Sequence, residues 1–137
     1  MKILLVDDDY LLAKGTAKLI ERLSKYPVAL ADEPAEIFRL CQSREVDIVL
    51  MDVNLPGAYL GDEEVSGTDL ARLLKTDQKT AYIPIILLTA YALVSERKKL
   101  LEASMADDLY TKPVTNYEEL LSLITQLYEA SQQQRQL

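Results

Sequence analysis

Asp7, Asp8 and Asp9 stand together after the apolar run Ile3–Val6, and Asp52 follows a second run, Val46–Met51. Thr89 closes a third run, Ile83–Thr89, and Lys112-Pro113 follows a short one around Leu109–Thr111. Carboxylates converging from two run ends offer hard oxygen ligands. With no histidine in the chain and its one cysteine elsewhere, they favour Mg²⁺ over zinc or copper. Packed without a cation, Asp7, Asp8 and Asp52 would repel and raise one another's pKa, so the cluster asks for a counter-charge. A carboxylate can attack a phosphoryl group and form an aspartyl phosphate if metal, lysine and hydrogen-bond donors neutralise the transferring oxygens. Lys112 and Thr89 supply such donors, the lysine as a point charge able to reach over the phosphoryl group. Each residue alone has a plainer reading: a solvated turn with Asp9 as helix cap, a strand-end acid at Asp52, a β-branched strand residue at Thr89, a turn lysine at Lys112. Their coincidence at the ends of four runs carries the chemistry.

The elements that must position them follow from periodicity. Ile3–Val6, Val28–Ala31, Val46–Met51, Ile83–Thr89 and Leu109–Thr111 are too short for helices and read as strands. Segments between them have helical spacing, with Leu12, Leu19, Ile20 and Leu23 as the apolar face of the first and Leu70, Leu73 and Leu74 of the third. Helix starts are marked by Pro34 after Asp32-Glu33, by Ser66, by Ser95 with Glu96, and by Asn116 before Tyr117-Glu118-Glu119. Five β-α units with right-handed crossovers predict an α/β fold, a parallel sheet with helices on both faces. In such sheets ligands bind outside the carboxyl ends of the strands, where the four groups stand.

Composition narrows the function classes. The 137 residues fit one domain. A net charge of −7 without a basic block argues against nucleic acid, and Arg97-Lys98-Lys99 reads as a solvated helix face. Cys41 is the lone cysteine, expected buried in a helix, so no disulfide framework exists. The most apolar stretch, 82–94, is broken by Pro84 and falls short of the roughly twenty residues a membrane span needs. Three acids directly after MKILLV do not fit a signal peptide, and a cytoplasmic location is expected. Tyr26, Tyr82 and Tyr117 show no interleaving with basic residues and read as packing tyrosines.

The strings ILLVDDD, IVLMDVNLPG, IILLTA and ADDLYTKPV, in this order, resemble the receiver domain of bacterial response regulators, including the single-domain chemotaxis type, over nearly the whole chain. The resemblance implies a flavodoxin-like (βα)5 sandwich with strand order 2-1-3-4-5. It implies Asp52 as phosphoacceptor, Asp7 and Asp8 holding Mg²⁺ with Asp8 more direct, and the Asn54 backbone carbonyl as a further ligand. It also implies that Thr89 hydrogen-bonds the phosphoryl oxygens, that Lys112 pairs with them, that Lys112–Pro113 is cis, and that Asn54 and Tyr91 flank the phosphoryl group and tune its hydrolysis. The implied partners are a histidine kinase or histidine phosphotransfer protein as donor, and a downstream protein met through the fourth helix, fifth strand and fifth helix. No nucleic acid or membrane partner is expected, and the state is a monomer or a phosphorylation-dependent dimer.

Two features depart from the family. Three residues before the lysine, where receivers usually carry a Tyr or Phe that turns inward on phosphorylation, stands Leu109; Tyr110 follows on the opposite strand face and does not substitute. Between Pro56-Gly57 and Ser66, AYLGDEEV lengthens the loop by about seven residues, as cover for the site, as a partner contact, or as a plain surface insertion. The receiver is expected within residues 1–128, with 129–137 a fraying helix end or linker start. An alternative is a degenerate receiver serving only as an interaction module, against which Asp52, Thr89 and Lys112 speak. A turnover phosphatase of the haloacid dehalogenase kind needs an acid two residues past the nucleophile, where this chain has Asn54.

Overall fold

A computed structural model of the chain describes residues 1–90 and 93–136. The elements in chain order are β1 (Ile3–Val6), α1 (Tyr10–Ser24), β2 (Val28–Ala31), α2 (Pro34–Gln42), β3 (Ile48–Asp52), β4 (Tyr59–Leu60), β5 (Glu63–Glu64), α3 (Gly67–Thr76), β6 (Ile85–Thr89), α4 (Val94–Ser104), β7 (Asp108–Thr111) and α5 (Tyr117–Gln136). Five strands form one sheet in the order β2-β1-β3-β6-β7, every neighbouring pair parallel. With β4 and β5 set apart as a two-stranded hairpin, this is the 2-1-3-4-5 order of the flavodoxin-like fold.

Every residue of the central strands β1, β3 and β6 is buried, as continuous apolar runs covered on both faces must be. Because successive side chains point to opposite faces, the sheet feeds two cores. Leu4, Val6, Val49, Met51, Ile85 and Leu87 pack with residues of α2 and α3, while Ile3, Leu5, Ile48, Leu50, Ile86 and Leu88 pack with α1 and α5. Cys41 lies buried in α2, where loss of hydration pushes its thiol up to about 12.

Of the expected apolar face of α1, Ile20 is buried but its three leucines are not. Ala13, Ala17 and Ile20 are the buried residues, whereas Leu12, Leu19 and Leu23 are 53%, 39% and 54% exposed. Both sets have helical spacing, but small alanines let the helix axis approach the sheet and leave the leucine stripe at the edge. Leu73 of α3 is likewise on the outer side, beside the buried Leu70 and Leu74. Helix starts at Ser66 and Asn116 stand as expected: Ser66 and Asp69 form a reciprocal capping box, and Asn116 Oδ1 accepts the Glu119 N–H at 3.0 Å. At α4 the helix begins one residue before Ser95, with Leu93 in the cap position and no side-chain bond. The tail from Glu129, expected to fray or turn into a linker, continues α5 to Gln136, and the Arg135 guanidinium sits over the Tyr82 ring at 4.4 Å.

Candidate functional site

Three carboxylates and one ammonium meet at the carboxyl end of the sheet. Asp7 and Asp8 follow β1, Asp52 is the last residue of β3, and in-register pairing of β1 with β3 brings the two ends side by side. One oxygen from each of Asp7, Asp8 and Asp52 lies within 4.8 Å of the others. Lys112 reaches in from the end of β7, its Nζ donating to Asp52 Oδ2 at 2.9 Å and to Asp7 Oδ2 at 3.4 Å. Its backbone N–H is held by the Thr89 carbonyl at 2.8 Å, and the Lys112–Pro113 bond is cis, as the family resemblance implies.

The third aspartate of the run has a different task. Asp9 caps α1, accepting the Leu12 N–H at 3.1 Å, while its own N–H donates to Asp7 Oδ1 at 2.9 Å. The plain reading of a helix cap thus holds for Asp9 alone, and its N–H fixes the Asp7 carboxylate.

Asp52 is only 6% exposed and accepts the Asn54 N–H at 3.1 Å besides the lysine. Burial pushes its carboxyl above the usual carboxylate range, against the lowering pull of the Lys112 hydrogen bond and the Asn54 N–H. For Lys112, burial works against the charged form, but the Asp52 hydrogen bond and charge, with Asp7 behind them, hold its ammonium above the ordinary lysine value. One ammonium therefore pairs with two of the three acids, Asp52 and Asp7. The donor set of Asp7, Asp8 and Asp52 is all carboxylate oxygen, and it fits a hard divalent cation.

Asp7, Asp8, Asp52, Asn54, Thr89 and Lys112 all line one open hollow of about 480 Å³, so the structure brings these six expected residues together. Thr89 is buried at the end of β6. A larger hollow of about 930 Å³ lies along β7 and α5 and includes Lys112 but none of the three clustered carboxylates, so size does not locate the chemistry here. Tyr91, expected beside the phosphoryl group, lies outside the described residues.

Leu109 is buried in the core on the α2–α3 side, and Tyr110 belongs to the opposite face, its hydroxyl donating to the Asn116 carbonyl at 3.1 Å. Strand alternation separates the two as expected, so no aromatic side chain stands at position 109. A residue not singled out from sequence is Gly67, the first of α3. Its N–H donates to the Val53 carbonyl at 2.9 Å, and a Cβ there would overlap the Asp52 backbone carbonyl oxygen. A glycine one residue into a helix start was the available signal, since close backbone approach is one of the few reasons for it.

The family model for the response regulator receiver domain matches residues 3–125. The phosphate regulon transcriptional regulatory protein PhoB of Pseudomonas aeruginosa is 36% identical over 111 residues, covering 81% of this chain and 44% of that protein. The sensor protein GacS of Pseudomonas syringae pv. syringae is 31% identical over 114 residues, which cover 83% of this chain and 12% of that protein. The chain thus spans less than half the length of either relative. The crystal structure of the receiver domain of sensor histidine kinase PA1611 from Pseudomonas aeruginosa PAO1, with a magnesium ion coordinated in its active site cleft, superposes with a TM-score of 0.74 at 26% identity, covering 93% of this chain and 97% of that one. By motif order, sheet topology and the match over residues 3–125, this chain belongs to the response regulator receiver domains of bacterial two-component systems.

Proposed function

We propose that this receiver takes a phosphoryl group from a phosphohistidine of a histidine kinase or phosphotransfer protein onto Asp52, and that the step depends on Mg²⁺. The observation that carries the reading is the convergence of Asp7, Asp8 and Asp52 within 4.8 Å, with the Lys112 ammonium 2.9 Å from Asp52. Asp7, Asp8, Asp52 and the Asn54 backbone carbonyl would hold the ion, which when bound supplies charge neutralisation for the phosphoryl oxygens.

In the transfer, an Asp52 carboxylate oxygen forms a bond to phosphorus as the phosphorus–nitrogen bond to the donor imidazole breaks, and the nitrogen leaves with the electron pair. Lys112 then exchanges part of its contact with Asp52 for the incoming phosphoryl oxygens, and Thr89, buried beside it, offers its hydroxyl to them. The Asn54 N–H on Asp52 Oδ1 orients the carboxylate. The reaction is a self-modification, and hydrolysis of the acyl phosphate resets it; turnover of external substrates is not part of the reading. Output passes to a downstream protein through α4, β7 and α5, with the chain monomeric or dimerising on phosphorylation. No helix among the described residues is long and apolar enough to cross a membrane, and a cytoplasmic setting is proposed. The receiver unit is proposed to span residues 1–128, with 129–137 a C-terminal helix end or linker start.

The test is intact mass after incubation with Mg²⁺ and acetyl phosphate. A gain of about 80 Da, one phosphoryl group, is expected; it requires Mg²⁺ and is missing in Asp52→Asn. No gain in folded protein would leave the interaction-module reading in its place.

A further inference from the structure

The segment between Gly57 and Ser66, which lengthens the usual receiver loop, is an ordered element. Tyr59–Leu60 pairs antiparallel with Glu63–Glu64, and Gly61 takes the left-handed backbone conformation in the turn, at φ +61°. Its root is built into the core: Leu55, Ala58 and Val65 are buried, the Val65 N–H donates to the Ala58 carbonyl at 2.9 Å, and the Ala58 N–H to the Leu55 carbonyl at 3.2 Å. Across the strands the Tyr59 hydroxyl donates to Glu64 Oε2 at 3.2 Å, while Tyr59 remains 52% exposed.

The hairpin borders the site. A hollow of about 240 Å³ is lined by Asp8 together with Ala58 and Tyr59 of the hairpin and with Asp32 and Glu33, which precede α2. Asp8 also lines the hollow that contains Asp52, so the two are contiguous through a residue of the carboxylate cluster. Asp62, Glu63 and Glu64 are exposed, and Lys112 is the single basic side chain lining either hollow among the described residues.

We propose that the Tyr59–Glu64 hairpin sets phosphodonor selectivity: anchored beside the hollow that Asp8 shares with Asp52, its carboxylates oppose the approach of small phosphate anions and favour a donor arriving on a Lys- or Arg-bearing protein surface. The proposal rests on the reading of Asp52 as phosphoacceptor. A fixed charge acts on an approaching anion over roughly one Debye length, about 10 Å at 0.1 M salt and about 30 Å at 0.01 M, so its signature is a rate effect that salt removes. A flexible loop would spread the same charge over a wide volume, whereas the buried root and the Tyr59–Glu64 bond hold it in a fixed hairpin whose base lines the hollow shared with Asp8.

The experiment measures the initial rate of phosphoryl uptake from acetyl phosphate with saturating Mg²⁺, at about 20 mM and about 500 mM ionic strength. Three versions of the 137-residue chain are compared: wild type, D62N/E63Q/E64Q, and a control of equal charge change among exposed acids remote from the site, E21Q/E102Q/E129Q. Glutamine at position 64 keeps an acceptor for the Tyr59 hydroxyl. The hairpin variant is expected to react about threefold faster than wild type at low salt, with the ratio falling toward one at high salt and the control staying near wild type. Equal rates at low salt, a matching gain in the control, or a gain that high salt leaves intact would each overturn the proposal while leaving Asp52 as phosphoacceptor. Absence of uptake in all three folded proteins would instead overturn the Asp52 reading and this inference with it.

Discussion

At the amino ends of the strands, Asp47 accepts the Lys2 backbone N–H at 2.7 Å, and Asp107 accepts the Ile85 N–H at 2.8 Å together with the Lys75 ammonium at 3.0 Å. At the carboxyl ends, Asp7, Asp8 and Asp52 crowd within 4.8 Å of one another, and the Lys112 ammonium pairs with Asp7 and Asp52. The residue type is the same; the ratio of acids to donors is not. An aspartate whose oxygens are taken up by backbone amides and a lysine is a joint between elements, and Asp107 joins α3, β6 and β7 in this way. A group of aspartates with one cation among three is incomplete by itself, and that excess negative charge is what a metal ion or an incoming phosphoryl group with its metal can answer.

Three substitutions probe the contrast. The largest effect is expected from Gly67→Ala, because the added carbon overlaps the carbonyl oxygen of Asp52 and α3 or β3 must shift. A stability loss of about 3 kcal/mol is expected in urea unfolding, and a loss under about 1 kcal/mol would show that the α3 start adjusts freely. Next, Asp107→Ala strips partners from the Ile85 N–H and the Lys75 ammonium, lowering stability by about 2 kcal/mol with Mg²⁺ affinity unchanged. The smallest change in stability belongs to Asp8→Asn, within about 0.5 kcal/mol, since Asp8 is exposed and its charge adds to the crowding. Titration calorimetry should nevertheless show Mg²⁺ binding weakened by about tenfold or more in that variant. Similar losses of stability for Asp8→Asn and Asp107→Ala, with metal binding untouched in both, would erase the distinction between joint and site.

The strands and the grouping of the candidate site residues were legible because their signals are local and redundant: five short apolar runs, four of them ending in a residue suited to metal or phosphate, in a parallel sheet that brings strand ends together. What stayed hidden depends on contacts between distant elements. Leu12, Leu19 and Leu23 share the helical spacing of the expected face, yet Ala13 and Ala17 join Ile20 in the core, because closeness of approach to the sheet is invisible in periodicity. Glu63 and Glu64 carry no strand signal, and their pairing with Tyr59 and Leu60 follows from the turn at Gly61 and the buried flanks Ala58 and Val65. The tail reads as a fraying end from its glutamines alone, but glutamine is a good helix former and Arg135 meets Tyr82, a residue over fifty positions away. In Asp7-Asp8-Asp9 the division legible in the sequence, Asp9 as cap beside Asp7 and Asp8 in the carboxylate cluster, is the one the geometry shows.

The bond from the Gly67 N–H to the Val53 carbonyl ties together the two ends of the segment that carries the hairpin. A segment closed at such a neck can grow at small entropic expense, about 0.6 kcal/mol for each doubling of its length, and transmits little of that growth to β3 or α3. The turn between Leu60 and Glu63 is thus a graft point: an epitope or a dye-binding sequence inserted there would ride beside the acidic cluster while the strands that hold Asp52 keep their register.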